Sequence, residues 1–155
     1  ILPLSAVLAK LLDLFIALVM LFILMLIFRW PIHWTVLFSP ILVILMVLTA
    51  AGLGFWLTAL VVQYRDVKYG LSLAMQLLLY AAPVVYPISM VPEKYVKLYA
   101  LNPMVGVVEG FRTAILGTGA MPWDLIGIGF LTASVVAITG LLYFNFMERL
   151  FADVV

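Results

Sequence analysis

The sequence predicts an all-α integral membrane protein, a polytopic bundle of four transmembrane helices with two short amphipathic, re-entrant helices. Three observations carry that prediction. Hydrophobic residues make up 68% of the chain and charged residues 10%, with a mean hydropathy of +1.32, whereas soluble domains are about one quarter charged. The eight basic and seven acidic residues cluster, leaving charge-free runs over 14–28, 30–64, 69–92 and 125–147. A hydrocarbon core needs about 20 residues of helix, so each run supplies one span. Between the last two runs lies a connector too apolar, and too rich in helix signals, to be an ordinary loop.

The first span, 4–28, reaches full length only by including Lys10 and Asp13, which lie three residues apart on one helical face and can pair. An unpaired charge in lipid is costly, so mutual neutralisation is the favoured reading. Arg29, Trp30 and Pro31 end this span, and Trp30, His33 and Trp34 suit the headgroup level, where amphipathic rings are enriched. The second span, 36–62, carries Ala50, Ala51, Gly52 and Gly54, small side chains that permit close helix approach. A polar connector from Gln63 to Tyr69 leads to the third span, 70–85. There Pro83 and Pro87 remove backbone donors and bias the residues before them away from helix, which makes them the predicted hinge.

In the first connector helix, 93–101, helical spacing puts Glu93, Lys94 and Lys97 on one side and Tyr95, Val96, Leu98 and Tyr99 on the other, a tyrosine face expected to be buried. Pro92 suits its first position, and Glu93 to Lys97 is a favourable i, i+4 pair. Asn102 and Pro103 then read as N-cap and N1 of a second helix, 103–117, which ends at Gly117. Its apolar face holds Met104, Val107, Val108, Phe111 and Ile115, and its polar face Glu109, Arg112 and Thr113. Gly106 and Gly110 flank the apolar stripe and allow close contact. Both helices are too short to cross a bilayer, so they either lie at the interface or dip in and return. The fourth span is 125–147.

Several classes of chemistry are excluded. There is no cysteine, hence no disulfide, thiolate metal site or cysteine nucleophile. His33 is the single histidine, no metal-ligand cluster or catalytic arrangement is present, and no phosphate-binding Gly-x-x-x-x-Gly-Lys motif occurs. A net charge of +1 gives no case for nucleic acid. Ile1 is not an initiator methionine and no signal-peptide pattern comes after it, so the chain is expected to begin mid-protein. Basic residues do not settle the topology: Lys10, Arg65, Lys68 and Arg149 fall on one side, with Arg29, Lys94, Lys97 and Arg112 on the other.

Six segments, in order, carry a family resemblance: Gln63-Tyr-Arg-Asp-Val-Lys-Tyr69, Pro83-Val-Val-Tyr-Pro87, Val91-Pro-Glu-Lys-Tyr95, Leu101-Asn-Pro-Met104, Glu109-Gly-Phe-Arg112, and Met147-Glu-Arg149 running on to Phe151-Ala-Asp-Val-Val155. Together they resemble the ABC-2 permeases that export O antigens, capsular polymers and teichoic acids. The chain departs from the family pattern near Val61 and near Asn145 and Phe146, where members are more polar.

The resemblance implies a single permease domain over 1–155, truncated at its N-terminus and matching the third to sixth helices of a six-helix permease. It implies a homodimer in the bacterial cytoplasmic (inner) membrane, partnered by an ABC ATPase that holds ATP and magnesium, with no cofactor in this chain. The implied substrate is a lipid-linked glycan. Helices 93–101 and 103–117 become extracytoplasmic gate helices, with Tyr80, Tyr86, Tyr95, Tyr99, Glu109 and Arg112 along the substrate path. Arg65, Asp66 and Lys68 become an ATPase-contact loop. Aromatic rings suit a sugar passage, because the CH-rich faces of sugars stack on them; the alternative for each tyrosine is an ordinary interfacial anchor. Two other functions compete: a permease for drugs or simple lipids, and a membrane-embedded enzyme acting on lipid-linked sugars.

Overall fold

The computed structural model describes residues 2–64, 66–84 and 86–152, with side chains described over 7–148 apart from positions 65, 79 and 85. Among the described residues six α-helices occur in order: α1 (Leu2–Ile27), α2 (Ser39–Gln63), α3 (Val67–Ala81), α4 (Glu93–Tyr99), α5 (Pro103–Leu116) and α6 (Trp123–Ala152). Short 3-10 turns at Trp34–Phe38 and Ile88–Met90 precede α2 and α4, and no strand occurs among the described residues.

Each boundary has a local cause. At the end of α1, Arg29 adopts a left-handed conformation (φ 52°). Its N–H donates to the Leu26 carbonyl (3.2 Å) and that of Trp30 to the Met25 carbonyl (2.8 Å), a Schellman cap built without glycine. Pro40 sits in the first turn of α2, where a missing N–H does no harm. Asn102 caps α5 as expected, accepting from the Met104 N–H at 3.1 Å, and Gly117 closes it in the left-handed region at φ 65°. Pro92, expected at the first helical position, is instead the extended residue before α4.

Three helices among the described residues, rather than four, are long and apolar enough to cross a membrane, over 7–27, 34–63 and 123–148. The exception is α3. Expected over 70–85, it starts three residues earlier and stops at Ala81, before the first proline. Its 15 residues reach roughly 22 Å at 1.5 Å per residue, short of a core about 30 Å thick.

The central pair is α2 and α6, which run parallel. Gly52 sits so close to α6 that a Cβ there would lie 2.8 Å from the Ala137 nitrogen, and one on Gly140 would lie 2.7 Å from the Gly52 carbonyl. Further along in the same direction Trp56 stacks on Tyr143 at 4.8 Å, Trp56 Nε1 donates to Thr139 Oγ1 (3.2 Å), and Tyr143 donates to Gln63 Oε1 (2.7 Å). The small-residue patch is therefore a packing face. Hydroxyls inside the bundle return to their own helix, as Thr49 does to Leu45 and Ser134 to Phe130, and no buried side-chain polar atom among the described residues lacks a partner. That is the condition for a stable interior away from water.

Because α2 and α6 start at the same end, the chain between them must recross the bundle, and α3 makes most of that return. Residues beyond α3 then form a hairpin whose second arm, α5, is inserted into the bundle, while no residue of α4 is buried. Pro103, at its tip, lies against Gly129, with 3.3 Å from the Pro103 Cα to a Cβ built there; that is roughly 9 Å along α6 from its first residue. From the tip α5 runs back outward between α2 and α6, where Val107 and Ala114 join Leu42, Leu45, Ile126 and Ala133 in the main core.

Substituting Gly52 by leucine should destabilise the protein by about 1–3 kcal/mol, because the backbone of α6 must move. Gly70, with nothing within 4 Å of a built Cβ, is the control: Gly70→Ala should be neutral or stabilising by up to about 1 kcal/mol through helix propensity. Thermal unfolding of the two variants in detergent compares them directly.

Candidate functional site

The residues singled out in the sequence separate into three places. Most lie where the proline segment, α4 and α5 meet. The α3 C-terminus is held there weakly, the Asn102 amide donating to the Ala81 carbonyl at 3.4 Å. Beyond Ala81 the chain cannot continue as helix, and the carbonyls of the proline segment need partners from elsewhere.

Those partners come from α5. Arg112 pairs with Glu109 one turn earlier and donates from its other nitrogen to the Pro83 carbonyl (3.1 Å) and the Val84 carbonyl (3.5 Å). Glu109 Oε1 also accepts from the Ile88 N–H at 2.8 Å. Glu109 is buried and Pro83 fully so. The expected polar face of α5 is thus a buried contact, and Thr113 and Gly110 are buried with it. Pro83 and Pro87, the predicted hinge, lie within this held stretch; Val85 between them is outside the described residues.

The held segment presents Tyr86 toward α4. Its hydroxyl donates to the Tyr80 carbonyl (3.0 Å) and lies 3.4 Å from the Tyr99 hydroxyl. The hydrogen bond with Tyr99, with a smaller contribution from burial, raises the Tyr86 pKa above its ordinary value near 10. Tyr86 therefore keeps its proton at physiological pH and acts as a donor. Tyr86, Tyr95 and Tyr99, with Met90, Val91 and Pro92, line an open cleft of about 390 Å³. Of the four candidate tyrosines only Tyr80 lies outside it, exposed on α3 and contributing its carbonyl.

Two details of α4 differ from expectation. Its tyrosine side is not buried: no residue of α4 is, and Tyr95 and Leu98 are exposed. Seven residues make too short a helix to cover that face, and the hairpin turns inward through Ala100, which is buried. The Glu93–Lys97 ion pair is also absent among the described residues; both residues line a cleft shared with Asp124, Leu125 and Ile128 at the start of α6. Lys94 lies 4.7 Å from the centre of the Tyr95 ring.

The other two places are simpler. Lys10 and Asp13 do pair, at 2.8 Å on an exposed face of α1, and Lys10 borders an apolar groove between α1 and α2. Asp66 and Lys68 are exposed at the start of α3, where Asp66 makes no side-chain cap; Arg65 is outside the described residues. Among the described residues no group of acidic and histidine side chains could hold a metal ion. His33 packs against Gly117, the cap of α5, and Thr35, two residues on, donates to the Ala114 carbonyl at 3.1 Å. Its setting is structural.

The sequence profile of the ABC-2 type transporter family matches residues 3–116. The chain belongs to that family. Two relatives are O-antigen export system permease proteins named RfbA. The one from Klebsiella pneumoniae is 28% identical over 74% of this chain and 44% of its own length. The one from Myxococcus xanthus is 29% identical over 72% of this chain and 44% of its own. The chain thus spans less than half the length of these relatives, and no solved structure matches it. In this ABC-2 chain the profile ends at the last residue of α5, so it takes in the hairpin and its tyrosines.

Read from the sequence, Glu109 and Arg112 at i, i+3 either lock α5 against a neighbour or stay solvated; the structure shows the neighbour to be the proline segment. The available signal was the proline stretch itself, a backbone without a regular ladder inside an apolar chain. Asn102→Ala should remove both the cap and the Ala81 contact and cost about 0.5–2 kcal/mol. Asn102→Asp keeps the acceptor and loses the donor, so in thermal unfolding it should fall between wild type and alanine.

Proposed function

We propose that the protein of which this chain is a part is the membrane-spanning permease subunit of an ATP-driven exporter. It moves a lipid-linked polysaccharide across the bacterial cytoplasmic membrane, as a homodimer with two copies of an ABC ATPase subunit. The observation that carries this reading is the tyrosine cleft at the mouth of an inserted hairpin, in a chain of the ABC-2 family whose relatives are named for O-antigen export.

The physical requirements fit one another. A glycan on a polyprenyl diphosphate cannot cross hydrocarbon unaided, so its path must be lined by groups that tolerate both sugar faces and hydroxyls. Tyr86, Tyr95 and Tyr99 offer ring faces for the CH-rich sides of sugars and hydroxyls for hydrogen bonds. Asp66 and Lys68 lie at the opposite end of α2 from the hairpin, where a cytoplasmic ATPase would press. ATP and magnesium belong to that partner, whose closure would reach the hairpin through the rigid α2–α6 pair.

Two measurements test the reading. The full-length protein, expressed with the ATPase encoded beside it, should co-purify with that subunit and export polyprenyl-linked glycan from ATP-loaded vesicles. Tyr95→Ala removes an exposed ring with little structural role, so thermal stability should stay within about 0.5 kcal/mol, while export should fall by about threefold to tenfold, as loss of one aromatic contact implies. Absence of an ATPase partner would sink the proposal. Transport of phospholipids or drugs with no glycan export would replace the substrate class.

A further inference from the structure

Glu109 and Arg112 were expected along the substrate path, yet their polar atoms are turned onto the protein itself. Arg112 reaches the Pro83 and Val84 carbonyls on one side of Tyr86, and Glu109 reaches the Ile88 N–H on the other. The side chains keep only 23% and 10% exposure for arginine and glutamate, which leaves little of either for a ligand. We infer that Glu109 and Arg112 are positioning residues, a polar staple that fixes Pro83, Val84 and Ile88 to α5 and thereby places Tyr86 on the rim of the tyrosine cleft.

Each bond supplies something the segment lacks. Two prolines leave it short of donors, and Pro83 is fully buried, where an unpaired acceptor is expensive. A guanidinium can satisfy two carbonyls and a carboxylate together because its donors form a planar fork; a lysine cannot. The carboxylate is equally specific, since it takes the arginine and a backbone N–H at once. With both ends of the 83–88 stretch tied to one turn of α5, the Tyr86 ring has a defined position, and its hydroxyl closes the arrangement onto Tyr80 and Tyr99. Opening the cleft on the Tyr86 side thus requires either moving α5 with the segment or releasing the staple. Only the consequence for export rests on the proposed function; the staple does not.

The geometry distinguishes a staple from a plain ion pair. Reversing the charges preserves attraction between positions 109 and 112, but it puts an acceptor opposite the Pro83 carbonyl and a donor opposite the Ile88 N–H. A charge reversal therefore cannot restore the staple.

The experiment uses the full-length protein in detergent with its ATPase partner, carrying a single cysteine at the buried position Ala82. E109Q and R112Q should each raise the maleimide labelling rate of A82C by about tenfold, the factor expected on losing a charge-assisted hydrogen bond. R112K should be intermediate, and the E109R/R112E double variant should label as fast as either single variant. A cysteine at Ala133, fully buried in α6, should stay protected throughout. Hydrogen exchange supplies a second reading: the Ile88 amide should exchange about tenfold faster in E109A, since its acceptor is gone. Unchanged labelling in E109Q and R112Q would overturn the inference. So would recovery of the wild-type rate by the charge reversal, which would reduce the pair to simple attraction. If A133C also opens in the glutamine variants, R112K and the Ile88 exchange rate decide the matter. Normal export combined with faster A82C labelling would sustain the staple while removing Tyr86 placement from the transport step.

Discussion

A backbone withdrawn from water must find its hydrogen-bond partners within the protein, and around Pro83 and Pro87 this chain cannot do so by helix. The bonds from Glu109 and Arg112 to Pro83, Val84 and Ile88 meet that requirement. Because they do, α3 can stop at Ala81, the chain can turn back through α4 and α5, and α5 can stand inside the bundle. A buried ion pair is usually weak support for stability, but removal of one partner is costly because the other is left stranded. Here each partner also holds main-chain groups, which ties the pair to one backbone path.

The hairpin needs a slot, and α2 and α6 form it. At Gly52 and Gly140 the two helices approach until backbone touches backbone, while toward their starting ends they separate enough to admit α5 and the Leu42, Leu45 and Ile126 core. Stacking of Trp56 on Tyr143 and the Tyr143 bond to Gln63 brace the far end, next to the polar connector that leads into α3. One rigid pair therefore joins the connector at one end to the hairpin and its tyrosines at the other. In the proposed exporter that pair would carry motion from an ATPase to the cleft.

Much of the architecture was legible in the chain. Charge-free runs located the long helices, Asn102 and Pro103 marked the start of α5, Gly117 its end, and the small residues around Gly52 a packing face. These readings succeed because they depend on local backbone chemistry or on the bilayer as a solvent. The failures share a different cause. Counting α3 as a full span overlooked how early the prolines act, and periodicity alone could not say that the proline segment covers the polar face of α5. Glu93 and Lys97 have ideal spacing and still do not pair, although both line the cleft beside Asp124.

By itself the sequence determined the all-α membrane class, the approximate helices and their caps, and the resemblance to the ABC-2 family. Only the tertiary structure decided that α2 and α6 run parallel, that α5 is inserted rather than laid on the surface, and that Glu109 and Arg112 grip the segment carrying Tyr86. Periodicity and capping are properties of neighbours in the chain. The staple joins groups more than twenty residues apart, and the need for it arises only where folding has buried Pro83.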